Sequence, residues 1–259
     1  NYNVVVGDEA GTAITTGDNN VLIGAFTGDA LTTGTFNVAV GTSALGTDIL
    51  GNRSVAVGNN ALTTQNPASA VDMYNVAVGY AAGLSVTTGI QNTFVGGTTG
   101  QATTDADYNV AMGYGALYTN TLGSKSTAIG VSALQNQNFT TATDSFNTAV
   151  GYTAGAAITT GTSNTIIGAE AGNNITTGGG NFAAGYGSLT NDTKGNSSIA
   201  IGSLALLSQN FTTSTNAYNV AIGEQAGRNI TTGTNNTLIG ALAGDAITDA
   251  DGNIAVGSL

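Results

Sequence analysis

Short apolar stretches bounded by polar residues and glycine form a phrase that returns throughout the length of this chain. The stretch Tyr74–Gly83 reads YNVAVGYAAG, and it returns 72 residues later as FNTAVGYTAG and then as YNVAIGEQAG. Val, Ile, Thr and Ala at its centre favour extended backbone, and Asn and Gly at its ends favour turns. The pattern therefore predicts many short β-strands separated by tight turns.

The glycine that closes each phrase, here called the marker glycine, recurs at fixed intervals of 17, 17, 17 and 21 residues. Fifteen phrases follow this 72-residue cycle, and their marker glycines are Gly7, Gly24, Gly41, Gly58, Gly79, Gly96, Gly113, Gly130, Gly151, Gly168, Gly185, Gly202, Gly223, Gly240 and Gly257. Seventeen residues suit one coil of a narrow solenoid whose coils stack on their neighbours. We therefore expect an all-β fold, a parallel β-solenoid of 15 coils, forming a single repetitive domain over residues 1–259.

Each predicted strand is apolar on both of its faces. Residues three and one before the marker glycine share one face, as Val76 and Val78 do, and we expect them to fill the interior of the coil. The residue two before the glycine points the other way and is never polar. Because a long apolar strip would be sticky on a monomer, we predict that this second face lies between chains of a homo-oligomer. Its residues are Leu22, Ala39, Ala56, Ala77, Phe94, Ala111, Ala128, Ala149, Ile166, Ala183, Ala200, Ala221 and Leu238.

The fourth coil of each 72-residue block is longer than the other three and predicts a projecting loop. Asn138 and Phe139 lie in one such loop, and Asn210 and Phe211 lie at the equivalent places in another. Regularly placed loops on a rigid scaffold are natural contact points, so these residues are candidates for contact with another surface. The alternative is that the extra residues bend the coil or pack on a neighbouring chain.

The amino-acid composition excludes several classes of function. Four basic residues stand against 15 acidic ones, and the net charge of −11 repels phosphate, so we expect no nucleic-acid partner. The chain has no Cys, His or Trp, which excludes a thiolate nucleophile, an imidazole base and a zinc site of the usual ligands. No apolar run approaches the ~18 residues of a membrane span, so we expect no membrane insertion in this segment. We also expect no cofactor, no metal site and no catalytic residue.

Particular residues suggest two further functions, glycan cleavage and ice binding. Glycan-cleaving enzymes typically use paired carboxylates, and the best pairs here are Asp105 with Asp107 and Asp249 with Asp251, all in turns. Rows of threonine, such as Thr15 with Thr16, would suit an ice-binding plane, but they break in the third and fourth coils of each block. We expect a protein that is not an enzyme, and keep glycan processing and ice binding as second alternatives.

The repeat phrase resembles that of a known group of fibrous proteins. NVAVGTSAL at Asn37–Leu45 and SVAVGNNAL at Ser54–Leu62 resemble the head repeats of YadA-type trimeric autotransporter adhesins. The longer form at Asn75–Gly100 is similar to repeat arrays of phage tail-fibre proteins. The resemblance covers the whole chain, and it implies a left-handed β-roll and a homotrimer whose chains are intertwined or side by side.

The same resemblance implies a structural role outside the cell. The expected function is that of a fibre segment, from a phage tail fibre or a related virion or cell-surface fibre, that projects or contributes to attachment to a host surface. Its expected partners are two further copies of the chain and a host-surface glycan or protein receptor, and its expected place is extracellular or on a virion. The alternative is a bacterial adhesin head on the outer surface that binds host cells or matrix. Since the chain opens and closes on the repeat phrase, we expect it to be a segment of a longer fibre.

Overall fold

In a computed structural model of the protein, which describes residues 2–258, the regular secondary structure consists of short strands, and no helix occurs among these residues. The strands are β1 (Val4–Val6), β2 (Val21–Ile23), β3 (Val38–Val40), β4 (Gly51–Asn52), β5 (Val55–Val57), β6 (Val71–Asp72), β7 (Val76–Val78), β8 (Thr93–Val95), β9 (Val110–Met112), β10 (Gly123–Ser124), β11 (Thr127–Ile129), β12 (Thr143–Asp144), β13 (Thr148–Val150), β14 (Thr165–Ile167), β15 (Phe182–Ala184), β16 (Gly195–Asn196), β17 (Ile199–Ile201), β18 (Thr215–Asn216), β19 (Val220–Ile222), β20 (Thr237–Ile239) and β21 (Ile254–Val256).

The chain forms two compact units, residues 2–126 with 138–143 and residues 127–137 with 144–258. In the first unit the three-residue strands stack in the order β1-β2-β3-β5-β7-β8-β9, each parallel to the next. In the second unit the order is β11-β13-β14-β15-β17-β19-β20-β21, again parallel throughout. Each unit is therefore a parallel β-solenoid, with about fifteen turns in the whole chain, and the predicted all-β solenoid fold is confirmed.

Equivalent residues of successive coils lie directly on one another. Ala39 pairs with Ala56, and Ala56 with Ala77, so the register carries each position of the repeat onto the same position of the next coil. The marker glycines stack in the same way, and a Cβ on Gly79 (φ +139°) would lie 2.4 Å from the carbonyl oxygen of Gly96. Only glycine fits such a column, which explains why the marker never varies.

The two strand faces are the reverse of those expected from the sequence. Ala77 is 0% exposed within a single chain, and Val78, one residue further on, is 36% exposed. The residue two before each marker glycine therefore points into the chain's own coil, and the residues three and one before it point outward. The predicted inter-chain face is thus corrected to intra-chain core for Leu22, Ala39, Ala56, Ala77, Phe94, Ala111, Ala128, Ala149, Ile166, Ala183, Ala200, Ala221 and Leu238, all of them fully buried.

The physical reason is a match of volumes across the narrow coil. The residue four after the marker glycine faces the same interior, and it is glycine wherever the strand residue is large, as with Phe94 and Gly100. A Cβ on Gly100 would lie 2.5 Å from the Phe94 ring. Where the strand residue is alanine in the third and fourth coils of a block, the opposing residue is leucine, as with Ala111 and Leu117. The bulky residue in every fourth coil therefore fills space inside its own chain and sets no register between chains.

A column of buried asparagines holds the coils together. Asn92 donates its side-chain amide to the carbonyl oxygen of Ala106 at 2.8 Å, on the far side of the same coil. Its side-chain oxygen accepts from the backbone N–H of Asn109 in the next coil at 3.0 Å. Each asparagine thus closes its own coil and ties it to the next one, in line with the tendency of buried polar groups to be hydrogen-bonded.

In the first and third blocks a buried carboxyl group replaces an apolar core residue. Asp48 lies fully buried in the position that Leu31 occupies one coil earlier, where it accepts hydrogen bonds from the backbone N–H of Gly51 at 2.7 Å and from the amide of Gln65. Asp192 has the same surroundings, and Asn120 stands at the equivalent place between them in the sequence. Burial raises the pKa of both carboxyl groups above 3.8, and the hydrogen bonds oppose that rise.

Candidate interaction surface

The most distinctive surface of the molecule lies outside the stacked strands. We define the outer face as the residues five, three and one before each marker glycine together with the two residues after it. Within residues 2–258, the exposed large apolar side chains all belong to this face except Val5, Ile49, Val71 and Tyr118. Soluble proteins rarely gather so much exposed apolar surface in one place without a partner for it.

Aromatic rings line both edges of the outer face on alternate coils. Before the strand stand Phe36, Tyr74 and Tyr108 in the first unit, separated by the polar residues Arg53 and Gln91. After the strand, rings occur on two of the same coils in the first unit, and these rings, Tyr80 and Tyr114, are 62% and 65% exposed. The second unit has one coil with exposed rings at both edges, Phe146 and Tyr152, while the exposed rings of Tyr186 and Tyr218 stand at one edge only. With coils ~4.8 Å apart, the rings recur at about 10 Å along each edge.

The backbone at the edge before the strand is unfavourable for bulky residues. Phe36, Tyr74 and Tyr108 have φ of 60°, 51° and 60°, in the left-handed region. Glycine occupies the same column at Gly180 and Gly252, so the fold itself does not require a ring there. A left-handed residue costs roughly 1–2 kcal/mol, and Arg53 and Gln91 of the same column bear that cost as the rings do. A half-exposed ring gains little from one chain's own packing, and contact with another molecule would bury its exposed part.

One cation orders part of this edge. The guanidinium of Arg53 lies 5.3 Å from the centroid of the Phe36 ring and 5.9 Å from that of Tyr74, in the next coil on either side. Arg53 also forms an ion pair with Asp72, and that hydrogen bond lowers the pKa of the Asp72 carboxyl group below its ordinary value. Rings held by a cation between them lose less freedom on docking.

The outer face carries carboxylates only in its first coil and beyond residue 169. They are Asp8, Glu9, Glu170 and Glu224, and the basic residues of the face are Arg53 and Lys125. From residue 19 to residue 169 the face is therefore free of carboxylate on a chain of net charge −11, and its polar residues there are uncharged apart from the two basic ones.

The phenylalanines proposed as loop contacts are not on the surface. Phe139 and Phe211 are each 6% exposed, and the structure corrects their assignment to buried packing residues. Asn138 and Asn210 are exposed, and each accepts a hydrogen bond from a threonine hydroxyl of the preceding coil, at 2.7 and 3.0 Å. The extra residues of the fourth coil thus fold one ring inward and leave a short polar loop outside.

The other candidate residues take part in contacts between coils. The Asp105 carboxylate accepts from the hydroxyls of Thr87 and Thr88, which lowers its pKa, and Asp107 accepts from the backbone N–H of Ile90 at 2.8 Å. Asp251 accepts from the backbone N–H of Thr234 at 2.6 Å, which likewise lowers its pKa. These carboxylates cap the turns of the neighbouring coil.

The threonine rows form a similar ladder. The hydroxyls of Thr15, Thr32 and Thr176 each donate to a main-chain carbonyl oxygen of the next coil, at 3.2, 3.1 and 3.0 Å. Among residues 2–258 no group of three His, Cys, Asp or Glu side chains is placed to hold a metal ion. No helix in this range is long and apolar enough to cross a membrane.

Sequence reasoning missed the outer face, although its signal is in the sequence. The rings before the strand at Tyr2, Phe36, Tyr74, Tyr108 and Phe146 occur on every second coil, a two-coil period inside the four-coil cycle. Comparison with known proteins adds no further constraint, since no protein family, curated sequence or solved structure matches the chain.

Proposed function

We propose that the chain is a structural segment of a surface fibre, in which homotrimeric solenoids hold an attachment part away from the particle or cell that carries the fibre. The observation that supports this role is the uninterrupted bonding between successive coils in each unit. Val76 N–H donates to the carbonyl of Asn92 at 2.8 Å, and Gly96 N–H donates to that of Val78 at 2.8 Å, and the same pair of bonds recurs from coil to coil. Such a ladder transmits load along the coil stack without a flexible joint inside a unit.

The proposed setting is extracellular, on a virion or a cell surface, with a host-surface glycan or protein receptor contacted by the fibre. A tail fibre or related virion fibre is the preferred form, because adhesin heads usually have shorter coils of uniform length and the marker glycines here follow a 17-17-17-21 cycle. A bacterial adhesin head that binds host cells or matrix directly is the alternative. Sequence flanking this segment separates them, since a membrane anchor would favour the adhesin and a virion-joining domain the tail fibre.

Deleting one whole block tests the structural role. Removal of residues 24–95, all of them in the first unit, joins Ile23 to Gly96 in phase, so each coil of that unit still finds an equivalent neighbour. We expect β-rich circular dichroism, a molar mass of three shortened chains by light scattering, and a coil stack shorter by about 20 Å in electron micrographs. As the control, deletion of residues 24–87 joins the chain about half a coil out of phase, more than the four extra residues of a fourth coil, and should not fold. If the chain with the in-phase deletion folds but remains a monomer, the intact chain would also be a monomer. That result would contradict the proposal.

A further inference from the structure

We propose that copies of this chain dock on one another through the outer face, parallel and in register. The aromatic edge before the strand of one copy then contacts the aromatic edge after the strand of the next copy. The inference rests on the proposed function in that the occupant of the face is a second copy of this chain. It differs from the sequence-based expectation in the surface used, because the alanine-rich face is buried inside each coil.

The two edges both carry rings in three coils, with Tyr74 and Tyr80, Tyr108 and Tyr114, and Phe146 and Tyr152, whereas the rings of Phe36, Tyr186 and Tyr218 lie opposite Thr42, Gly180 and Glu224. Tyr74 and Tyr80 flank the strand of one coil, and Tyr108 and Tyr114 flank the strand two coils further on, while the coil between them carries Gln91 and Gly97. When copies surround a rotation axis in register, the first edge of one copy meets the second edge of its neighbour at the same level. Rings then meet rings at alternate levels, and the levels between them bring polar or small residues together. A shift by one coil would set rings against Gly97 and its equivalents.

Charge favours a second copy as the occupant. Two chains of net charge −11 repel each other, and approach through residues 19–169 of the outer face brings no carboxylate of that face into the contact. In the first unit the floor between the edges is aliphatic except at Thr93, as at Val78 and Met112, and offers few polar groups to sugar hydroxyls. In the second unit Thr127, Thr148 and Thr165 stack in successive coils of this floor. A chain-like glycan is therefore the weaker occupant, although its rings could also stack on tyrosine.

The size of the face suits a protein interface. Stacked strands ~4.8 Å apart and the outward positions of each coil give about 600 Å² of such surface in each unit, at the upper limit of what soluble monomers expose in one patch. One unit alone therefore offers a surface close to the ~800 Å² that each partner of an ordinary stable interface buries.

Crosslinking of mixed chains tests the register directly. The natural chain contains no cysteine, so introduced thiols have no background. Chains with Tyr74→Cys and chains with Tyr80→Cys are refolded together and oxidised. Because each chain carries one thiol, any disulfide between the two kinds of chain joins different copies. We expect a covalent pair of the two kinds, resolved by mass with one of them carrying an affinity tag.

A matched mixture reports on a shift by one coil. Chains with Tyr74→Cys are mixed with chains with Gly97→Cys, which places the second thiol at the same edge one level away. We expect at least a tenfold lower yield of the mixed pair than with Tyr80→Cys. Pairs formed only between like chains, such as two Tyr80→Cys chains, would overturn the parallel arrangement in favour of a two-fold contact.

Light scattering of the same samples separates this inference from the proposed function. An assembled molar mass without a crosslink at either pair would overturn docking through the outer face and leave the fibre role standing. A mass of one chain would overturn both. Binding of soluble oligosaccharides to the unmodified chain, with protection of tyrosine fluorescence and a mass of one chain, would assign the face to glycan instead.

Discussion

One buried position shows how a single residue sets the response of this solenoid to pH. Asp48 and Asp192 occupy a core column that is aliphatic in the first two coils of the same blocks, and Asn120 occupies it in the middle block. Asparagine keeps their contact with a backbone N–H, since Asn120 accepts from the N–H of Gly123 at 3.1 Å, and its own amide donates to the Gly123 carbonyl at 2.7 Å. The carboxyl groups are therefore not required by the geometry of the coil.

We predict that Asp48→Asn and Asp192→Asn stabilise the chain at neutral pH. Burial raises the pKa of each carboxyl group above 3.8, so the folded chain binds the proton more tightly than the unfolded chain does. The natural chain must then lose stability as the pH rises through the raised pKa, whereas the amide does not. Each substitution should add on the order of 1 kcal/mol at pH 7, and the gain should fade as the pH approaches 4. Urea unfolding at several pH values measures this gain in unfolding free energy. Exposed Asp8→Asn is the control for the loss of one charge.

At the scale of the single coil, stability depends on paired volumes and on the asparagine column. Phe94 and Gly100 are one solution to filling the interior, and Ala111 and Leu117 are the other. Leu117 adopts the same left-handed backbone, φ 54°, that Gly100 adopts at φ 58°. Either pair should therefore be able to serve in the same coil.

The second prediction is a compensating pair of substitutions. Phe94→Ala alone leaves a cavity and should cost about 3–4 kcal/mol of unfolding free energy. Gly100→Leu alone drives a side chain into the Phe94 ring and should cost about 1–3 kcal/mol. The double variant reproduces the Ala111 and Leu117 solution, so its cost should fall below the sum of the single costs by more than 1 kcal/mol.

Chemical unfolding of the four chains measures that interaction. Val95→Ala, one residue after Phe94 and facing outward, is the matched control and should cost less than about 1 kcal/mol with no coupling to Gly100→Leu. Additive costs for the two core substitutions would show that the volumes are not paired.

The third prediction concerns the asparagine column. Asn92→Ala removes the partners of the buried Ala106 carbonyl and the Asn109 N–H, and an unpaired buried group costs about 1–3 kcal/mol. We expect that loss from the unfolding free energy, with faster amide exchange at Asn109 measured by mass spectrometry. Asn66→Ala, at an exposed position away from the outer face, should change neither quantity.

The solenoid could be predicted from the sequence, but which face of each strand points inward could not be predicted from alternation alone. Marker glycines, asparagines and the spacing between them follow from stacking alone, so coil number and parallel pairing could be predicted. Alternation showed that both faces of NVAVG are apolar, and nothing in a period of two says which face is inside. The paired sizes at Phe94 with Gly100, and at Ala111 with Leu117, would have decided it, because only residues that share one interior need compensate in volume. The inward fold of Phe139 had no such signal, since its loop departs from the repeat.

For the whole molecule, the distribution of charge and apolar surface points to assembly. A chain with 15 acidic and four basic residues carries no carboxylate on the outer face between residues 19 and 169, and it places exposed rings there. Exposed apolar rings are unfavourable in water, and both features suit a surface that is dry in an assembled state.

The fourth prediction contrasts two neighbouring residues. Ala77 is fully buried in its own coil, so Ala77→Asp places an unpaired carboxylate in the core and should abolish β-rich circular dichroism. Val78 points outward, so Val78→Asp should leave the spectrum of the coil unchanged and reduce the molar mass by light scattering to that of one chain, because the carboxylates of adjacent copies would meet in a dry interface. Val78→Thr, which keeps the shape without the charge, should stay assembled. If both aspartate variants fold and keep the mass of the natural chain, then neither face is dry in the way the structure indicates, and the apolar outer face would need a role other than contact between copies.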